Sequence, residues 1–208
     1  MSIKKQKVYI VDDDVAVLDA LSVLMNSAGI NFEAYSSAED FLEYFNANYS
    51  GCLLLDIRMP NMSGLQLQNV LNEKGINIPI IFVTGHGDVP MAVQAMKKGA
   101  WGFLEKPFND EVLIGDINRA FAADAASRHV EKQRQMIANR IKQLTPRENE
   151  IMKKIVSGAH NKTIAFDLGL SQRTVELHRS HVMQKMRARS LAQLVRMSLL
   201  SEELGESE

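Results

Sequence analysis

The chain has 208 residues, 46% of them hydrophobic, and a formal net charge of −1, enough length for two small domains with packed cores. No apolar run approaches the roughly 18 residues of a membrane span. The early lysines (Lys4, Lys5, Lys7) lead into four apolar residues and three aspartates rather than an export signal, so the expected location is the cytoplasm. The single cysteine, Cys52 in the run CLLL, excludes an internal disulfide and is expected to be a core thiol.

Five short runs rich in β-branched, aliphatic and aromatic residues, at 7–11, 31–35, 52–55, 79–83 and 101–105, predict strands. Segments with helical spacing separate them, such as Val15, Leu18, Leu21 and Met25 after the first. Gly29, Gly75 and Gly99 stand where these helices should end and where a left-handed cap is needed. The alternation predicts an α/β domain, a doubly wound five-stranded parallel sheet, over residues 1–123.

Residues 124–143 are polar and helix-favouring, without Pro or Gly, and predict a helical linker. Val130, Ile137, Ile141 and Leu144 give it a narrow apolar stripe that either pairs two copies of the chain or docks on one of its domains. Thr145-Pro146-Arg147-Glu148 is a capping box with proline at the first helical position. Asn161 and Ser171 are further N-cap candidates, and helices are expected at about 146–157, 161–168, 171–187 and 190–200. Residues 144–200 thus predict a second, all-α domain of four helices, and the tail 201–208 reads as disordered.

Charge follows the same division. Residues 1–123 carry 9 Lys+Arg against 15 Asp+Glu, a net of −6, while residues 144–200 carry 10 against 4, a net of +6. The two ends therefore suit different partners, with a polyanion the natural one for the basic end.

In an open parallel sheet, ligands gather at the carboxyl ends of the strands where strand order reverses. Here the first strand ends in Asp12-Asp13-Asp14 and the third in Asp56. Carboxylates meeting in one crevice raise each other's pKa unless a cation joins them, and oxygen donors with open water positions suit Mg2+. Thr84 ends the fourth strand and Lys106 follows the fifth. A hydroxyl and an ammonium beside such a carboxylate can hold the oxygens of a phosphoryl group in transit.

On the third helix of the basic half, Val175, His178, Val182 and Met186 share one face. Arg173, Glu176, Leu177, Ser180 and Gln184 form a polar stripe opposite, of the kind a helix lying in a major groove presents to base edges. Arg173, Arg179, Lys162, Lys185, Arg187 and Arg189 are candidate phosphate contacts, and Asn161 adds one at a helix N-terminus. His178 and His181 read as packing residues, because their spacing of three suits a metal but no third ligand accompanies them.

The motifs VDDD (11–14), LLLDIRMPNMSG (53–64), FVTGHGD (82–88) and FLEKPF (103–108) resemble those of CheY-like receiver domains over about residues 4–122. LTPRENEI, NKTIAFDLGLSQRTVELHRSHVMQKM and SLAQLVRM resemble the helix-turn-helix domain of the LuxR/NarL class, and the combination resembles FixJ-type response regulators. The resemblance implies a flavodoxin-like receiver and Asp56 as phosphoacceptor. Asp12, Asp13, Asp56 and the carbonyl of Arg58 would hold Mg2+, Thr84 and Phe103 would be the switch pair, and Lys106 the family's lysine. It also implies a cis Lys106-Pro107 bond and DNA contacts from Lys162, Arg173, Thr174, Glu176, Leu177, Arg179, Ser180 and Lys185.

The implied partners are a sensor histidine kinase, pseudo-palindromic double-stranded DNA and a second copy of the chain paired through Leu191, Leu194, Val195 and Leu199, with RNA polymerase as a further one. No enzymatic turnover is expected beyond slow self-dephosphorylation. Arg58 and His86, each two residues past a key position, are expected to overhang the site, with Arg58 obstructing attacking water. A phosphohydrolase of the haloacid dehalogenase type is the alternative suggested by Asp12-x-Asp14, although Ala16 breaks its pattern and no insertion provides a cap. A receiver used only as an interaction module is the third reading, and the complete set of five site residues argues against it.

Overall fold

A computed structural model describes residues 6–45, 49–85 and 89–202. His86 and residues 203–208 of the tail lie outside the described residues. The chain forms two compact units, residues 1–128 and 129–208.

In the first unit the strands are β1 (Lys7–Val11), β2 (Phe32–Tyr35), β3 (Gly51–Leu55), β4 (Ile80–Thr84) and β5 (Gly102–Glu105). They form one parallel sheet in the order β2-β1-β3-β4-β5. The order reverses between β1 and β3, which pair from Lys7 with Gly51 to Val11 with Leu55. Five helices alternate with the strands: α1 (Val15–Ser27), α2 (Ala38–Tyr44), α3 (Gly64–Glu73), α4 (Val89–Lys97) and α5 (Asp110–Ile141).

Successive side chains of a strand point to opposite faces, and both faces of this sheet are covered. Val8, Ile10, Cys52, Leu54, Ile81 and Val83 pack against Leu21 and Met25 of α1 and Leu113, Ile117 and Ala120 of α5. Tyr9, Val11, Leu53, Leu55, Ile80 and Phe82 pack against α2, α3 and α4 through Phe41, Leu67, Leu71 and Ala95. Cys52 is fully buried, as its apolar run predicted. Gly29, Gly75 and Gly99 all have positive φ where their helices end.

Helix α5 is longer than the alternation alone requires. Its 32 residues include the segment 124–141 that the sequence presents as a linker, so linker and last receiver helix are one element. Asp124 is 2% exposed. Its carboxylate accepts the Gly51 amide at 2.9 Å, the Ser50 hydroxyl at 3.3 Å and Arg128 Nε at 3.0 Å. The Arg128 guanidinium lies 4.1 Å over the Tyr49 ring. These contacts carry the first compact unit past residue 123.

The second unit contains α6 (Pro146–Val156), α7 (Asn161–Leu168), α8 (Gln172–Met186) and α9 (Leu191–Glu202). Its core comprises Ile151, Ile155, Ile164, Val175, Val182, Met186 and Leu194, with Ile137 from the end of α5. Ile141 and Leu144 pack against that core and Val130 stays exposed, so three of the four stripe residues dock within this unit. The Thr145–Glu148 capping box forms with both reciprocal bonds. Ser171 caps α8, but Asn161 does not cap α7: the N-cap is His160, without a side-chain bond, and Asn161 is the first helical residue.

Candidate functional site

The pairing of β1 with β3 places Asp12 and Asp56 side by side, one residue past the ends of their strands. The Asp56 amide donates to the Val11 carbonyl at 2.9 Å, which continues the ladder to the site. Both aspartates are buried, at 3% and 7% exposure, while Asp13 and Asp14 are exposed. Asp14 caps α1 through the Ala16 amide at 2.9 Å. Gly64 opens α3 with its backbone against the Asp56 carbonyl oxygen, where a β-carbon would lie only 2.2 Å away. That position admits no side chain without moving Asp56.

Lys106 follows β5 and its Nζ reaches into the crevice, donating to Asp12 Oδ2 at 2.6 Å and Asp56 Oδ1 at 3.2 Å. Its backbone amide donates to the Thr84 carbonyl at 2.9 Å, and its peptide bond to Pro107 is cis. The second Asp56 oxygen accepts the Arg58 amide at 2.6 Å, while the Arg58 side chain is exposed. Burial pushes the Asp12 carboxyl upward, more than the Lys106 ammonium and the Asp14 amide pull it down. Burial also works against the Lys106 charge, but hydrogen bonds and attraction from Asp12 and Asp56 exceed it and hold the ammonium above the usual lysine range. Thr84 is 1% exposed at the end of β4, and Phe103 on β5 is half-buried against the core. The structure therefore brings Asp12, Asp56, Thr84 and Lys106 from four strand ends to one edge of the sheet.

On α8, Arg173, Glu176, Leu177, Ser180 and Gln184 are all exposed, and Val175, Val182 and Met186 are fully buried behind them. Lys162, Arg187 and Arg189 are exposed as well. Thr174 is half-buried and engaged with the capping Ser171, its amide at 3.1 Å and its hydroxyl at 2.8 Å. Arg179 donates to Asn161 Oδ1 at 3.3 Å. Lys185 departs from the expectation of a free cation: its Nζ lies 2.6 Å from Glu148 Oε2, fastening α8 to the first turn of α6. Sequence reasoning assigned Glu148 to the capping box alone. Its hydrogen bond from Lys185, against a smaller cost of burial, draws its carboxyl down to about 2.

Folding also overturns the reason for passing over the histidines. Glu148, His178 and His181 offer ligand atoms that all lie within 4.8 Å of one another. The third member stands thirty residues upstream on another helix, where spacing rules for one helix cannot find it.

Two buried carboxylates bridged by an ammonium at a sheet's switch point, joined in one chain to a helix-turn-helix with an exposed polar stripe, define the class of two-domain signalling regulators. A family model for the response regulator receiver domain matches residues 8–118, and one for bacterial regulatory proteins of the luxR family matches residues 142–198. The chain belongs to the response regulator family, as a receiver joined to a LuxR-type DNA-binding domain. It is 45% identical over 194 residues to transcriptional regulatory protein FixJ of Azorhizobium caulinodans, covering 93% of this chain and 92% of that one. It is 44% identical over 198 residues to response regulator protein TodT of Pseudomonas putida, covering 95% and 87%. Among solved structures it resembles response regulator StyR, at 41% identity, a TM-score of 0.85 and 93% and 98% coverage. It also resembles full-length FixJ from B. japonicum, at 40% identity, a TM-score of 0.58 and 96% and 98% coverage. These matches displace the dehalogenase alternative. No helix among the described residues is long and apolar enough to cross a membrane.

Proposed function

We propose that this chain is a cytoplasmic, phosphorylation-controlled transcription factor in which residues 1–123 receive a phosphoryl group on Asp56 from a phosphohistidine of a sensor histidine kinase. One observation carries the reading: the Lys106 ammonium bridges Asp12 and Asp56 in a buried crevice that Thr84 also borders. The Asp56 carboxylate attacks phosphorus in line, the bond from phosphorus to the kinase histidine nitrogen breaks with its electron pair returning to the imidazole, and an acyl phosphate forms. Lys106 holds a phosphoryl oxygen, and the Arg58 amide steadies the carboxylate.

Two carboxylates, Asp12 and Asp56, meet one ammonium, and the exposed Asp13 adjoins them in the chain, so the donor set carries excess negative charge on hard oxygen atoms and fits Mg2+. Asp12, Asp13, Asp56 and the Arg58 carbonyl would hold that ion, which when bound offsets charge on the incoming group. The modification adds roughly −1.5 to −2 charge. Thr84 then turns toward a phosphoryl oxygen and Phe103 into the space it leaves, which changes the surface of α4 and β5. Slow hydrolysis of the acyl phosphate resets the switch.

The output is residues 144–200, reached through the helical segment 124–143. Phosphorylation promotes a homodimer through Leu191, Val195 and Leu199 of α9, whereas Leu194, expected in the same seam, is fully buried in the core of its own unit; the dimer reads a pseudo-palindromic site with half-sites about one helical turn apart. Arg173, Glu176, Leu177 and Ser180 face base edges and backbone. Lys162, Thr174 and Arg179 support the phosphate contacts, Lys185 instead holds α8 to α6 through Glu148, and RNA polymerase is the downstream partner.

The test is intact mass and DNA binding with and without acetyl phosphate and Mg2+, for the wild type and Asp56→Asn. Mg2+-dependent phosphoryl uptake lost in the variant, with tighter salt-sensitive DNA binding in the wild type, is the expected result. DNA binding unchanged by a proven modification would overturn the coupling.

A further inference from the structure

We propose that Glu148, His178 and His181 form a binding site for a divalent ion of the Zn2+ class on the DNA-binding unit, separate from the acidic crevice of the receiver. His178 and His181 are three apart on α8 and share a side of that helix. Glu148 comes from the first turn of α6 and is 3% exposed. The ligand atoms of the three already lie within 4.8 Å of one another.

Two details of the cluster point to a ligand rather than to packing. The Thr145 amide and the Lys185 ammonium both bind Glu148 Oε2, at 2.7 and 2.6 Å. The other oxygen, Oε1, faces His181 Nδ1 at 3.7 Å. In addition, Nδ1 of His178 is buried and meets no hydrogen-bond partner among the described residues. Leaving such a buried atom unpartnered destabilises the fold unless something joins it.

The geometry is close to what the ion demands. In a tetrahedral site with bonds of about 2.1 Å, neighbouring donor atoms stand about 3.4 Å apart. The separation of His181 Nδ1 from Glu148 Oε1 is 3.7 Å, so that edge of the tetrahedron is nearly formed, and none of the other separations exceeds 4.8 Å. Two imidazoles and one carboxylate are a borderline donor set with a fourth position left for water, which favours Zn2+ over the hard Mg2+. The Lys185 ammonium on Oε2 stays on the far oxygen and weakens the carboxylate as a donor without blocking it. A bound ion would tie α8 to the start of α6, beside Leu177 and Ser180 of the exposed stripe, and so fix the helix that meets DNA.

The experiment uses the full chain, stripped with a chelator and returned to buffer with excess Mg2+ to occupy the receiver crevice. It is titrated with Co2+ as a spectroscopic stand-in and then with Zn2+. One Co2+ per chain with the intense visible bands of four-coordination, displaced by Zn2+, is expected. His181→Ala is the variant of choice because that side chain is 45% exposed and its loss should not unfold the unit. It should weaken Zn2+ binding more than about 100-fold, beyond the effect of a lost outer-shell partner, with circular dichroism unchanged. His181→Asn serves if the alanine variant loses helix. Only weak six-coordinate Co2+ bands in the wild type, or equal Zn2+ affinity in wild type and His181 variants, would overturn the site.

Discussion

In the first unit, Asp12, Asp56, Thr84 and Lys106 arrive from four separate strand ends and are held in a crevice where only Lys106 keeps appreciable exposure. In the second, Arg173, Glu176, Leu177, Ser180 and Gln184 lie along one helix and are all open to solvent. The crevice exists only if the whole sheet is in register, because a slip of one residue between β1 and β3 would turn every side chain to the other face. The stripe needs only that α8 form and bury its opposite side. Concentrated chemistry therefore depends on global topology here, and distributed recognition on local periodicity. Substitutions should act all-or-none in the crevice and by degrees on the stripe.

The comparison breaks most sharply at Asp56. Asp56→Asn is expected to abolish phosphoryl uptake in intact-mass measurements while leaving unphosphorylated DNA binding unchanged; residual uptake would mean that Asp12 or Asp13 also accepts the group. Glu148→Gln is next, because it keeps an oxygen for the capping box, as Gln66 does at the start of α3, but removes the buried negative charge under Lys185. It should cost about 1–3 kcal/mol, visible as an earlier helical transition in denaturant that the fluorescence of Trp101, the only tryptophan and one in the other unit, does not share.

The same carboxylate sets an acid limit. Its folded value of about 2 lies below the ordinary 4.5, so its stabilisation is complete above about pH 4.5 and is lost as pH falls toward 2. Denaturation of the wild type across that window should lose more stability than that of Glu148→Gln.

On the stripe, Arg173→Ala should weaken DNA binding about tenfold and lower the salt slope by about one. Lys185→Ala should instead reduce stability and leave the salt slope nearly unchanged, because that ammonium is already engaged by Glu148. The smallest effect belongs to the exposed Arg58: if its side chain obstructs water, Arg58→Asn should raise autodephosphorylation a few-fold, and an unchanged or slower rate would remove it from the mechanism.

Much of the fold was legible because period and punctuation agree: strands of β-branched residues, glycines at helix ends, and a complete capping box at Thr145. The crevice was legible through strand ends alone, once β1 and β3 were taken as neighbours. What the sequence hid are contacts between elements far apart in the chain. Nothing near Lys185 tells that Glu148 binds it, and nothing near the histidines supplies a third ligand. Asn161 was misplaced as a cap because it and His160 are adjacent and the backbone turns helical one residue earlier than composition suggests. Asp124 looked like the start of a solvated linker because its partners, Ser50 and Gly51, stand at the entry to a strand more than seventy residues earlier.

That last carboxylate sets where the two halves of the chain can be exchanged. A graft that kept residues only through Ala123 and joined them to a foreign output would leave the Gly51 amide without its acceptor and the Tyr49 ring without its cation. A seam placed after Arg128 carries both with the receiver. For chimaeric regulators built on this sensor half, the splice point is therefore dictated by the sheet it must keep intact, and the incoming module has to begin partway along a helix.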